Sequence, residues 1–362
     1  MHMENDDMEI KKQDCIRPGK EWLDTKGERI HAHGGSVMYW DGAYYWYGEN
    51  HERTDRPNGI CHWGIRFYRS TDLYNWEDLG TIIPPDLDDP TSPLHPSSKT
   101  DRPHIIYNPR TKKFVCWLKI MEPGGPQSES ILVADDLLGP YTLVRKGLYP
   151  LSMNGGDFDL AVAPDGKAYY FFERVHSEII CADLTFDYTD VTGYYSTHFP
   201  EVAPPFVREA PAHFMRKGKH YLFTSGTTSY WPNPSEVAIA DTWHGPYTVL
   251  GDPHPGDESH TSFHSQISCV FKVEGKQDLY IAMADRWIPR DAEVPYEAYG
   301  PAWEANYSPE STPEERLEAQ KILHKYPFPN VRYADYVWLP IRFEGEMAYI
   351  DWHDEWRIED YE

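Results

Sequence analysis

Along most of the chain, apolar and polar positions alternate in short runs. Each run is broken by a turn of Asp, Asn, Lys or Gly and resumed by a segment rich in Tyr, Phe or Trp, which is the pattern of a β-hairpin. It occurs five times: VMYWDGAYYWYGE at 37–49, IIYNPRTKKFVCWLK at 105–119, LAVAPDGKAYYFFE at 160–173, HFMRKGKHYLFTSG at 213–226 and CVFKVEGKQDLYIAMADRW at 269–287. Each of the first four is followed by a weaker pair of strand patterns: IRFYRSTDLYNWEDLG, SILVADDLLGPYTLV, IICADLTFDYTDVTG and VAIADTWHGPYTVL. Four strands recurring roughly every 50 to 70 residues are the mark of a propeller blade, whose sheet buries its faces only against neighbouring blades.

The pattern therefore predicts an all-β, five-bladed β-propeller over residues 25–362, preceded by an extension at 1–24. Between 288 and 330 the repeat is interrupted by a helical insertion. There Thr312 as N-cap, Pro313 at the first helical position and Glu315 three residues after the cap precede RLEAQKILHKY. The segment YADYVWLPIRFEGEMAYIDWHDEW then resumes the alternation. It is expected to complete the fifth blade and to pair with the N-terminal strand, closing the ring against edge pairing.

Composition narrows the function. With 34 Lys and Arg against 58 Asp and Glu the formal charge is −24, which argues against nucleic acid or an anionic membrane as partner, because those need a concentrated positive field. No apolar run is long enough to span a bilayer, and MHMENDDMEIKKQDC lacks the apolar core of an export signal. The sequence as it stands reads as cytoplasmic, or as extracellular or periplasmic if an export signal once preceded it. The five cysteines show no C-x-x-C pair, so neither zinc nor a disulfide framework is suggested. Aromatics make up 15% of the chain; most fill β cores, and aromatic faces beside carboxylates also suit sugar rings.

In a propeller the innermost strands converge on a central channel, so the segments just before the five hairpins meet there. They are HAHGG (31–35), TDRPH (100–104), GGDFD (155–159), VREAP (207–211) and FHSQIS (263–268). Four of them place an acid or an amide directly ahead of an apolar strand. Carboxylates crowded on one axis raise one another's pKa, and convergent carboxylates are what glycoside hydrolysis uses: one protonated acid for the leaving oxygen and a second group acting on water. Taken singly, each acid also fits a turn or cap.

These segments, together with REAPAHFMRKGKHYLFTSGTTSYWPN and ADRW…YVWLPI, resemble glycoside hydrolase family 43 over about residues 25–357, and within it the branch containing exo-β-1,3-galactanases. The resemblance implies a five-bladed, inverting enzyme acting on an oligosaccharide or polysaccharide such as arabinogalactan. It implies Glu209 as general acid, Asp157 as the carboxylate that tunes and holds that acid, and Glu49, Asp101 and Arg102 as contacts to the terminal sugar. Arg102 fits a structural ion pair equally well, and Asp159 has no counterpart. Most of the family carries a general base in an A-D-P motif; here Ala32-His33-Gly34 stands in its place. The galactanase-like branch shares this departure and uses a Gln to position the water, a role that falls to Gln266, for which a satisfied core amide is the other reading.

Trp231 matches a sugar-stacking loop aromatic. Asp285, with Arg286 and Trp287, is either a ligand contact or structural. His33 and His264 lie near the axis, where the open roles are orienting a carboxylate, binding a calcium-linked water and hydrogen-bonding within the core, the last being favoured; Asp285 and His33 stand among the candidate substrate contacts. No cofactor is required; a structural Ca²⁺ is possible, although no D-x-D-x-D loop marks a site. Alternatives are an α-L-arabinofuranosidase or β-xylosidase of the same family and a non-catalytic carbohydrate-binding propeller. The expected assembly is a monomer or small homo-oligomer.

Overall fold

A computed structural model describes residues 12–288, 292 and 294–362. The first eleven residues, on which the reading of the export signal rests, and positions 289–291 and 293 of the expected insertion lie outside the described residues. The chain forms five four-stranded antiparallel sheets, each from four consecutive strands. Blade 1 holds β1 (His33–Trp40), β2 (Ala43–Glu49), β3 (Ile65–Ser70) and β4 (Glu77–Ile83). Blade 2 holds β5 (Lys99–Asn108), β6 (Lys113–Met121), β7 (Gln127–Ala134) and β8 (Thr142–Leu148). Blade 3 holds β9 (Gly155–Val162), β10 (Ala168–Arg174), β11 (Glu178–Leu184) and β12 (Val191–His198). Blade 4 holds β13 (Glu209–Arg216), β14 (Lys219–Ser225), β15 (Ser235–Ala240) and β16 (Thr248–Gly251). Blade 5 holds β17 (Gln266–Lys272), β18 (Tyr280–Arg286), β19 (Asp335–Glu344) and β20 (Met347–Ile350).

The hairpin turns follow from their residues. Asp41-Gly42 and Lys217-Gly218 have positive φ at both central positions, the left-handed geometry that matches the twist of a two-residue hairpin. The inner strands β1, β5, β9, β13 and β17 pack successively against one another, and β17 returns to β1. The outermost strands β8, β12 and β16 are largely exposed. In four blades the ladder to the outermost strand is broken by a register shift, which blunts that edge as a template for pairing.

Ring closure differs from the expectation. β19 and β20 complete blade 5 with β17 and β18, whereas β1 pairs only with β2. The ends meet instead through one bridge, in which the backbones of Ile16 and Trp356 exchange hydrogen bonds at 2.9 and 3.0 Å. A strand swap is unnecessary here because aromatic packing does the same work. Trp46, Trp76 and Trp338 are fully buried in one cluster with Ile16 and Trp356, and the rings of Trp46 and Trp338 lie 4.6 Å apart across the seam between blades 1 and 5.

Among the described residues the insertion contains two α-helices. In α2 (Pro313–Leu323) Thr312 and Glu315 form the predicted reciprocal capping box. The other, α1 (Gly300–Tyr307), has no side-chain cap and no strong periodicity, so its helicity is owed to packing rather than to local signals. No helix among the described residues is long and apolar enough to cross a membrane.

Candidate active site

All five inner hairpins carry a break in register at the channel end. These lie between His33 and Ser36 in β1, Asp101 and His104 in β5, Gly155 and Phe158 in β9, Glu209 and Ala212 in β13, and Ile267 and Cys269 in β17. A bulge inserts an unpaired residue and re-aims side chains out of the ladder, and each one lies at a residue singled out from the sequence. The backbone pays for this locally: Gly34, Arg102 and Ala210 adopt φ of +59°, +54° and +48°. Gly34 also has no room for a side chain, because a Cβ would stand 2.3 Å from Glu49 Oε1.

Arg102 lies at the centre, which joins its two sequence readings. Its Nη2 donates to Asp157 Oδ2 at 2.8 Å and to Gln266 Oε1 at 2.5 Å, and its backbone N–H donates to Glu49 Oε1 at 2.9 Å. Lys119 of β6 donates to Asp157 Oδ1 at 2.6 Å and lies 3.4 Å from Asp101 Oδ2. Burial alone would raise the Asp157 carboxyl, but Arg102 and Lys119 outweigh it and hold it at about 2, so Asp157 is anionic at any working pH.

Glu209 is the opposite case. Its Oε1 accepts from Gln266 Nε2 at 3.1 Å. Burial first, then the negative charges of Asp157 and Glu173, push its carboxyl well above the ordinary range, against Lys119 and Arg102. One carboxyl held low beside one pushed high is the division of labour that acid catalysis of glycoside cleavage requires.

Gln266 donates its second Nε2 hydrogen to Ser225 Oγ at 3.0 Å. Glu49 is buried, with Oε2 against His51 Nε2 at 2.8 Å; burial and the neighbouring Asp101 raise its pKa. Asp159, unassigned in the sequence, turns out to be a structural tie. It accepts the backbone N–H of His213 at 2.6 Å and meets His104 Nδ1 at 2.9 Å, joining blades 2, 3 and 4.

His33 is fully buried and stacks on Tyr336 with ring centroids 4.7 Å apart. Its Nδ1 lies 3.1 Å from Asp285 Oδ1, and Asp285 Oδ2 accepts the Gly34 N–H at 3.0 Å. His33 is thus a core residue with no access to a sugar, which corrects its assignment as a substrate contact. Asp285 and Gln266 line a shallow pocket together with Tyr230, Trp231, His264 and Trp287.

Trp231 lines this pocket but is largely buried. Its indole is 9% exposed, packs edge-on to Tyr326 at 4.9 Å and donates Nε1–H to the Tyr326 and Pro327 carbonyls. Its ring anchors the insertion behind the pocket wall, and the aromatic surface facing the cavity is shared with Tyr230 and Trp287, whose rings meet at 5.3 Å.

Sequence reasoning missed Lys119, Glu173 and Tyr230. Lys119 and Glu173 each carried a signal, a charge next to the apolar run of its strand (KFVCWLKIM and AYYFFER), which is costly to bury unless it is paired. Tyr230, whose hydroxyl accepts from Arg56 at 2.6 Å, carried none beyond its place beside Trp231. Among the described residues no group of three or more His, Cys, Asp or Glu is placed to hold a metal ion.

A comparison with family models matches residues 30–266 to the glycosyl hydrolases of family 43. No curated protein sequence matches the chain. Among solved structures, a family 43 β-1,3-galactosidase superposes with a TM-score of 0.78 at 29% identity, over 97% of this chain and 65% of its own. A second family 43 β-1,3-galactosidase, solved with galactodeoxynojirimycin, gives 0.75 at 26% identity over 95% and 100% of the two chains. The exo-β-1,3-galactanase of Phanerochaete chrysosporium, solved with β-1,3-galactotriose, shares the fold at 22% identity and a TM-score of 0.73, over 95% and 68%. This chain spans 65% of the length of the first of these relatives. With the family model matching residues 30–266, well over half of the chain, the chain belongs to glycosyl hydrolase family 43.

Proposed function

We propose that the protein is an exo-acting, inverting glycoside hydrolase that removes terminal β-1,3-linked galactose from galactan or arabinogalactan-type chains. The observation that carries the reading is the meeting of Glu209 and Asp157 at the channel through Gln266 and Arg102, where the surroundings push the Glu209 carboxyl up and hold the Asp157 carboxyl down. In this reading Glu209 gives its proton to the glycosidic oxygen. Asp157 keeps that proton on Glu209 until it is needed, by making a second negative charge nearby costly. Arg102 holds Asp157 and Gln266 in register, and Glu49 and Asp101 face the hydroxyls of the terminal sugar. Water enters from the face opposite Glu209, so the released sugar has the inverted anomeric configuration. The galactoside preference draws support from the two β-1,3-galactosidases to which the chain is similar at 29% and 26% identity.

The test is a proton-NMR time course on β-1,3-galactan and arabinogalactan, with Glu209→Gln in parallel. Early appearance of α-galactose, slowed at least about 10²-fold in the variant, is the expected result. Release of arabinose or xylose alone would move the substrate to that of the other family 43 enzymes. Sugar affinity without turnover would make the propeller a binding module.

A further inference from the structure

We infer that Arg56 and Tyr230 form the closed end of the sugar site and confine cleavage to the terminal sugar. The inference rests on the glycosidase reading above and goes beyond it by naming the residues that set exo action. An exo-enzyme has room for one sugar on the non-reducing side of the scissile bond and none for a second. Such a block works by excluding the internal chain, a built-in clash rather than an added attraction.

The connections around the channel mouth are unequal. Glu49 ends β2 and Glu209 begins β13, so in every blade the connection between the second and third strands lies at the end that carries the acids. Blades 2 and 3 complete theirs within residues 122–126 and 175–177, whereas blades 1, 4 and 5 extend theirs over 50–64, 226–234 and 287–334. The mouth is therefore low on the side of blades 2 and 3 and walled on the side of blades 4, 5 and 1.

The wall is continuous. The ring of His51, which holds Glu49, lies 6.4 Å from Trp287 of blade 5, and Trp287 meets Tyr230 of blade 4 at 5.3 Å. Tyr230 then returns to blade 1 at Arg56. That contact is double: Arg56 Nη2 donates to Tyr230 Oη at 2.6 Å, and the guanidinium carbon stands 5.1 Å from the ring centroid, within range of a cation–π attraction. Blades 1 and 4 are not neighbours in the ring, so a bond between their connections spans the mouth over blade 5. Both partners are supported. Arg56 is carried by a small hairpin in which Asp55 and Ile60 exchange backbone hydrogen bonds at 2.8 and 3.0 Å, and Phe328 of the insertion packs edge-on to Tyr230 at 5.9 Å.

The strap stands beside the acids that face the terminal sugar. Burial first, then the negative charge of Asp101, raise the Tyr230 hydroxyl above its ordinary range, with Glu49 adding to them and Arg56 opposing. Tyr230 also lines the pocket that holds Gln266. On this geometry a chain enters by its non-reducing end and is stopped by Arg56 and Tyr230, with its remainder running out over the low side of the mouth at blades 2 and 3.

The test uses the full chain and β-1,3-galactopentaose carrying a fluorescent tag on its reducing end. Untagged galactobiose comes only from a cut with a second sugar beyond the terminal one, whereas stepwise removal gives galactose and leaves every longer product tagged. The wild type is expected to release galactose without untagged galactobiose. Arg56→Ala and Tyr230→Ala, shown to be folded by thermal melting, are expected to release untagged galactobiose at least about tenfold above the wild-type level. Loss of stability or of turnover alone would not produce it. Folded variants that release only galactose overturn the inference and leave the glycosidase reading standing, and a wild type that itself releases untagged galactobiose overturns it too. Should Tyr230→Ala fail to fold, Arg56→Ala decides by the same product. If an aryl-glycoside panel shows that the wild type releases another sugar, only the substrate class is overturned, and the tagged pentasaccharide of that sugar takes the place of galactopentaose. A wild type that cleaves nothing overturns the glycosidase reading and the inference together.

Discussion

At the scale of single residues, the channel chemistry is a contest between burial and charge, and Asp157 shows which wins. A carboxylate this deep is stable only because two cations reach it at 2.8 and 2.6 Å. Asp157→Asn therefore leaves Arg102 and Lys119 partly unpaired, and breaking a buried ion pair from one side costs about 3–5 kcal/mol. The urea midpoint is expected to fall accordingly. The same change removes a negative charge that raises Glu209. On the proposed mechanism Glu209 works in its protonated form and activity is lost as pH rises through its pKa, so the alkaline limb of residual kcat/KM is expected to move to lower pH. An unmoved limb would mean that Asp157 does not tune Glu209. The folded pKa of Asp157 is depressed, so its own contribution to stability is present above about pH 4 and is lost as pH falls towards about 2.

At the scale of elements, the bulged hairpin is the working unit, and its glycines are where it is least tolerant. In blade 1, Gly35 on β1 and Gly48 on β2 face each other so closely that a Cβ on Gly35 would stand 1.8 Å from the Tyr47 carbonyl oxygen, and one on Gly48 would stand 2.2 Å from the Ala32 carbonyl carbon. Backbone cannot yield there as a flexible side chain would. Gly35→Ala is expected to cost about 1–3 kcal/mol or more through overpacking and to displace Glu49, at the end of the same hairpin, with a rise in KM. Alanine at Gly42, in the turn at the other end, has open space around its Cβ; it is strained only by its positive φ and should leave KM unchanged. Steady-state kinetics with thermal melting separates the two.

At the scale of the whole molecule, the ring is held shut by packing between its first and last blades and by the Ile16–Trp356 bridge. Trp356 is buried with Trp46 and Trp338 in its cluster and donates its indole N–H to the Trp338 carbonyl at 2.9 Å. Trp356→Ala is expected to cost about 3–5 kcal/mol, read as a lower denaturant midpoint. Because blade 5 carries Gln266 and Asp285 while blade 1 carries Glu49, a loosened seam should reduce kcat/KM at temperatures well below the melting midpoint. A variant destabilised to that extent but fully active below its transition would show that the seam and the site are uncoupled.

Much of this was legible in the residues themselves. Period-2 alternation with Asp-Gly and Lys-Gly turns specifies hairpins locally, and five copies with outer partners leave a propeller as the way to bury both sheet faces. The cap of α2 was readable for the same reason, since Thr312, Pro313 and Glu315 act within one turn. Glu209, Asp157 and Gln266 stood out by their recurrence ahead of apolar strands. What the chain could not reveal in one dimension were properties set by partners 38 to 303 residues away. These include Arg102 as hub, Lys119 as the second cation on Asp157, His33 as a core ring against Tyr336, Trp231 as an anchor for the insertion, and α1, whose helix depends on packing. Local propensity and periodicity are written in neighbouring residues, whereas protonation state, burial and the aim of a side chain depend on the field and contacts that five blades create only once they are closed around one axis.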